Sequence, residues 1–126
     1  KLNWLAPHLN YFTENINNVK FDSAVRPISK ICEFLAKAYT SKNESIIKTE
    51  INSTHIEKII EAGFDWLIGE QKVAVKAYTM EMLFLFGKNE GWVHQELQLV
   101  LQQNIINESA AYQARGKKIL SWINKK

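Results

Sequence analysis

Cysteine, proline, glycine and arginine are all scarce. The lone Cys32 cannot form an internal disulfide, which fits a reducing cytoplasm as the expected compartment. Two prolines and five glycines leave long uninterrupted stretches. No charge-free apolar run approaches the roughly 18 residues of a membrane span, and no signal-type apolar region opens the chain, so no membrane partner is expected. Arginine stands only at Arg26 and Arg115, and the lysines are spread along the sequence. A net charge of +3 without a basic run is a mild balance for a dedicated nucleic-acid binder.

What is present is globular. With 46% apolar and 23% charged residues, the 126-residue chain is neither disordered nor of low complexity, and its length suits one domain with one core. The first residue is Lys, and Leu2 to Leu5 already read as helix. The chain is therefore expected to continue upstream, as a fragment of a longer protein.

Apolar spacing is helical almost throughout. Leu5, Leu9, Phe12, Ile16 and Val19 draw a first stripe, with Pro7 near the helix start. Ala24, Ile28, Ile31, Leu35 and Ala38 draw a second, capped by Asp22 or Ser23, with Pro27 in or just after the first turn. Residues 40–53 break the pattern, yet Ile46, Ile47 and Ile51 suggest a short extra turn. Thr54 followed by Glu57 is a capping-box pattern for a third helix, which carries Ile56, Ile59, Ile60, Phe64 and Leu67 inward and stops at Gly69. The stretch 71–86 has almost no polar face, which predicts a helix enclosed on several sides at the centre of the structure. Phe84→Ala is then expected to cost about 3–5 kcal/mol. A fifth helix carries Val93, Leu97, Val100, Leu101 and Ile105, and a sixth, capped by Ser109, carries Tyr112, Gly116, Ile119 and Ile123.

Short links make these helices antiparallel hairpins, at about 1–39, 54–87 and 91–124, within a single domain. A faint repeat runs through the even-numbered helices: Ala24-Val25-Arg26-Pro27-Ile28-Ser29 aligns with Ala74-Val75-Lys76-Ala77-Tyr78-Thr79 and with Ala111-Tyr112-Gln113-Ala114-Arg115-Gly116. Its offsets of 50 and 37 residues fall in or near the range of helical-hairpin repeats. The expected fold is all-α, an α-α superhelix of three antiparallel hairpins.

Val25-Arg26 and Val75-Lys76, each opening the second helix of a pair, resemble the Val-Arg of HEAT repeats; the third repeat has Tyr112-Gln113 in their place. Through Phe64-Asp65-Trp66-Leu67-Ile68-Gly69 and Ala110-Ala111-Tyr112-Gln113-Ala114-Arg115, the chain also resembles short helical-repeat proteins of Bacteroidetes-type bacteria. Some of those carry the label adenylosuccinate lyase. The sequence does not support that activity, because the Ser-Ser-x-Met-Pro-x-Lys loop of that enzyme family is absent. The HEAT resemblance implies a non-enzymatic α-solenoid that binds a macromolecule, a protein first of all, through a concave helical face. An alternative is a DNA-binding repair protein of the HEAT-like alkylpurine glycosylase type. Another is a purely structural end segment of a longer solenoid, marked by a dry apolar face around Trp4 and Leu5.

Catalytic patterns are missing: there is no phosphate-cradling Gly-rich loop, nucleophile elbow or His-Glu-x-x-His. His8, His55 and His94 fall near separate helix starts, which suits surface or capping roles, and no metal or other cofactor is expected. Cys32 reads as a small buried hydrophobe. Glu81, inside the most apolar helix, must be paired or protonated, and an inter-helix ion pair is the simplest outcome. The binding candidates are Trp66, Asp65, Trp92, Arg115, Lys117 and Lys118. Tryptophan is typical of interface anchors, and Asp65 and Trp66 opposite Arg115 would form the repair-type groove. Lys117 and Lys118, with Lys125 and Lys126, are a local basic excess for an acidic partner or nucleic acid.

Overall fold

The computed structural model describes residues 3–18 and 22–125. Leu2, Val19 and Lys126 lie outside them, and so do the side chains of Asp22 and Ser23, the expected caps of the second helix. Every regular element among the described residues is helical, and no helix among them is long and apolar enough to cross a membrane.

The chain opens with a 3₁₀ turn, Asn3–His8, that contains Pro7, and α1 (Leu9–Asn15) follows directly. A second 3₁₀ turn, Ile16–Asn18, precedes α2 (Asp22–Thr40), which holds Pro27 on its exposed side. The broken stretch after α2 folds into one short helix, α3 (Ile46–Glu50). Ser45 caps it by accepting the Lys48 N–H at 3.1 Å, and Ile47 and Ile51 point into the core. Next come α4 (Ser53–Ile68) and α5 (Val73–Phe86), then a 3₁₀ turn at Gly87–Asn89. After a further 3₁₀ turn at Ile105–Asn107, α6 (Gly91–Asn104) gives way to α7 (Ala110–Ile123). Ser109 caps α7 as its spacing predicts, accepting the Tyr112 N–H at 3.2 Å.

The cap of α4 differs from the sequence pattern. The reciprocal pair is Asn52 with His55, not Thr54 with Glu57: the Asn52 side chain accepts the His55 N–H at 2.9 Å, and His55 Nδ1 accepts the Asn52 N–H at 3.1 Å. A neutral imidazole accepts a backbone N–H as well as a Glu carboxylate does, so the helix starts two residues earlier.

The expected centre is found in α5, which packs against α2, α4, α6 and α7. Val75, Met80, Met82 and Leu83 are sealed from solvent. One burial register recurs in three helices. Val25, Val75 and Tyr112 are fully buried, and four residues on, Ser29, Thr79 and Gly116 are buried too. Three further, Cys32, Met82 and Ile119 are fully buried. The small middle rung leaves room for a neighbouring helix, and on α7 that neighbour is α6: a Cβ on Gly116 would meet Ile105 and Leu101. Thr79 satisfies its hydroxyl on the Val75 carbonyl at 2.7 Å, and Ser29 on that of Arg26 at 2.8 Å, so neither leaves a polar orphan in the core.

On α2 the buried stripe lies one residue away from the expected one. Val25, Ser29, Cys32 and Ala36 are buried, and Leu35 is buried as expected, while Ile28 and Ile31 are only half-buried. Those two large aliphatics turn instead toward α1 and the opening 3₁₀ turn, where they line an apolar hollow of about 400 Å³ with Trp4, Phe12 and Tyr11. The bulkiest residues are poorly suited to a close helix contact, so the small ones take it.

Candidate functional site

The outer side of the α2–α5–α7 layer is built from helical spacing. On α2, Arg26, Lys30, Phe34 and Lys37 recur every three or four residues and so share one face. On α5, Tyr78 and Glu81 lie opposite them, and on α7, Arg115, Lys118 and Trp122 continue the surface.

Ion pairs tie the three helices in series. Lys30 Nζ donates to Glu33 Oε1 at 2.9 Å. Lys37 Nζ lies 4.0 Å from Glu33 Oε2 and 3.7 Å from Glu81 Oε2, and Arg115 Nη1 reaches Glu81 Oε1 at 3.2 Å. Each carboxylate is thus shared between two cations from different turns or helices. Glu81 is the inter-helix ion pair that its position in an apolar helix predicts. The Lys30 ammonium also sits 4.6 Å above the Tyr78 ring and 5.1 Å above Phe34. Its pKa is raised, chiefly by the hydrogen bond it donates to Glu33.

At the end of α5 the surface becomes aromatic. Phe84 stacks on His94 at 5.0 Å between ring centres and tilts against Trp122 at 5.2 Å. His94 Nε2 donates to the Phe84 carbonyl at 2.8 Å, which holds the imidazole flat on the ring. Lys88 lies 5.6 Å over Phe84 and Lys118 lies 5.1 Å over Trp122. A hollow of about 550 Å³ opens here, lined also by Glu81, Leu85 and Lys125. The surface therefore gathers Arg26, Lys30, Lys37, Lys88, Arg115, Lys118 and Lys125, interleaved with Glu81 and four aromatic rings, with Glu33 buried beneath. Chemically it offers fixed cations beside apolar rings, the equipment for holding an anionic, partly apolar surface.

The sequence-predicted residues separate. Trp66 is 5% exposed and belongs to the core, so it is no surface anchor. Asp65, its neighbour, is exposed and lines a cleft between α4 and the start of α6 with Trp92, which is 55% exposed. Successive helical residues point about 100° apart, which is why Asp65 and Trp66 cannot share a groove wall. Arg115 is engaged by Glu81 on another face, so the grouping of Asp65, Trp66 and Arg115 does not form. Lys117 is exposed and Lys118 covers Trp122. Lys76, at the Arg-like position of Val75-Lys76, is buried and bonded to Glu108 at 3.3 Å, whereas Arg26 at the matching place is exposed.

Sequence reasoning missed Lys30 and Lys37. Their signal was the spacing of Arg26, Lys30, Phe34 and Lys37, one charged and aromatic row on a single helix. Cys32 lies sealed beneath that row, and burial pushes its thiol far above the ordinary range. Among the described residues no three His, Cys, Asp or Glu side chains gather closely enough to hold a metal ion. No family model matches this chain, and no curated protein or solved structure matches it significantly.

Proposed function

We propose that this chain is a non-enzymatic α-solenoid module of three hairpins that binds an acidic protein partner through the outer side of α2, α5 and α7. The observation that carries this reading is the linked row Lys30–Glu33–Lys37–Glu81–Arg115, which crosses all three helices. A shared carboxylate limits the motion of the cations around it, so less side-chain entropy is lost when a partner arrives. The solenoid reading is supported by the burial register common to Val25, Val75 and Tyr112, as stacked hairpins require. Trp122, Phe84 and Phe34 supply aromatic contact area of the kind that dominates interface energetics.

A second reading, a DNA-binding repair protein, is favoured by the same cations and rings. Against it stand the scarcity of arginine, two in the chain, and the partly exposed Glu81 carboxylate, which repels a phosphate backbone. A third, the structural end segment, is favoured by the apolar hollow under Trp4 and Tyr11, which are 62% and 72% exposed; an added hairpin would bury that face.

The test is affinity capture from native lysate at two salt concentrations, with and without nuclease, comparing the parent chain with the Lys37→Glu/Arg115→Glu variant. A discrete protein that survives nuclease and is lost with the variant supports the first reading. Nucleic acid that leaves as salt rises supports the second. Capture that the variant does not alter overturns the assignment of this surface.

A further inference from the structure

The cleft between α4 and α6 carries the opposite charge. Glu57, Glu61 and Asp65 recur every four residues and form one exposed row on α4. Glu90, in the link before α6, faces the same cleft. Two adjoining hollows of about 300 and 480 Å³ meet at Glu57, Ile60 and Trp92. The Trp92 indole stands over this junction, 6.1 Å from the Phe64 ring and more than half exposed. Among the described residues, no Lys or Arg lies within ion-pair distance of these four carboxylates. The groups in reach are Lys58, which lines the wall, and Asn17, which donates to Glu61 at 3.2 Å.

In a chain of net charge +3, this is a concentration of negative charge that no ion pair among the described residues neutralises. Like charges four apart on a helix repel one another, so a bound cation relieves α4. The carboxylates are strung along the helix and do not converge, and no three of them come together as metal ligands do. That spacing suits cations that are themselves strung along a chain. An exposed indole beside carboxylates adds a second attraction for the same group, because tryptophan has the strongest cation–π face of the side chains.

From this geometry we propose that the cleft docks an extended segment of a partner protein that bears several arginines or lysines, one cation lying over Trp92 and the others along Glu57, Glu61 and Asp65. This rests on reading the chain as a protein-binding module, but it uses a different surface from the α2–α5–α7 face. The module then has two docking surfaces of opposite sign.

The probe is a nonapeptide of alternating arginine and serine, with its glutamate counterpart as control, titrated into the full isotope-labelled chain at low salt. The arginine peptide is expected to shift the Trp92 indole N–H and the α4 amides from Glu57 to Asp65. Its affinity should fall about tenfold in Trp92→Ala and in Glu57→Gln/Asp65→Asn, fall by less in Trp92→Phe, and stay unchanged in Lys118→Ala. Thermal melts of the variants confirm that these exposed sites leave the fold intact. Equal binding of both peptides, or shifts confined to other helices, overturns the cleft. So does concentration-dependent dimerisation that Trp92→Ala abolishes, which would put a second copy there. If the peptide fails while capture still depends on Lys37 and Arg115, the module reading stands and the cleft alone is lost.

Discussion

His55 makes one hydrogen bond that depends on a bare ring nitrogen and another that uses the ring proton. Nδ1 accepts the Asn52 N–H at 3.1 Å, so the proton sits on Nε2 and is donated to Asn10 Oδ1 on α1. Adding a second proton sets a donor against the Asn52 N–H and opens the cap of α4. Burial holds the imidazole below its ordinary range, and nearby Lys58 adds to that. The unfolded chain therefore takes up the proton more readily than the folded one, so this contribution is complete above about pH 6.5 and is lost as pH falls through the folded value. Stability by thermal melting should drop more between pH 7 and pH 5 in the parent than in His55→Gln, and the difference between the two isolates this residue from the carboxylates. Trp66 and Asp65 teach a related lesson: neighbours in sequence, one is core and the other solvent-facing, and composition does not distinguish a tryptophan that fills a gap from one that anchors a partner.

Among the elements, α5 was the most legible. A helix apolar around its whole circumference has to be surrounded, and α2, α4, α6 and α7 surround it. Within it the rings differ. Phe86 is 2% exposed, while Phe84 is only half-buried against His94 and Trp122. The expected 3–5 kcal/mol cost therefore belongs to Phe86→Ala, and Phe84→Ala should cost about 2 kcal/mol. Urea unfolding with an unchanged slope would measure both, and an equal loss for the two would contradict the observed burial. Two elements were misread in detail. The α2 stripe slipped by one residue because two apolar edges lie side by side and the larger residues form the outer one. The α4 cap moved because Asn52 with His55 closes a reciprocal box two residues earlier, which places Thr54 and Glu57 inside the first turns of the helix.

Across the whole molecule, charge is sorted rather than diffuse. Lysines far apart in sequence meet along the α2–α5–α7 surface, and carboxylates meet around Trp92. Glu81 restrains the first of these, since it lies between Lys37 and Arg115 and is one-fifth exposed. Glu81→Gln should cost under about 1 kcal/mol of stability, as for other partly solvated pairs. It should also make the surface more positive, so that the variant leaves an immobilised polyanion such as heparin at higher salt than the parent. Elution at the same salt would show that these cations do not act together.

The sequence by itself determined the all-helical class, the approximate extents of the long helices and the central place of α5. These follow from local spacing, because a helix reports its buried face every three or four residues. Only the tertiary structure decided which lysine meets which carboxylate, which tryptophans reach solvent, and that one side gathers cations while another gathers acids. Those facts depend on how helices are rotated against one another, and rotation is set by packing contacts between residues tens of positions apart.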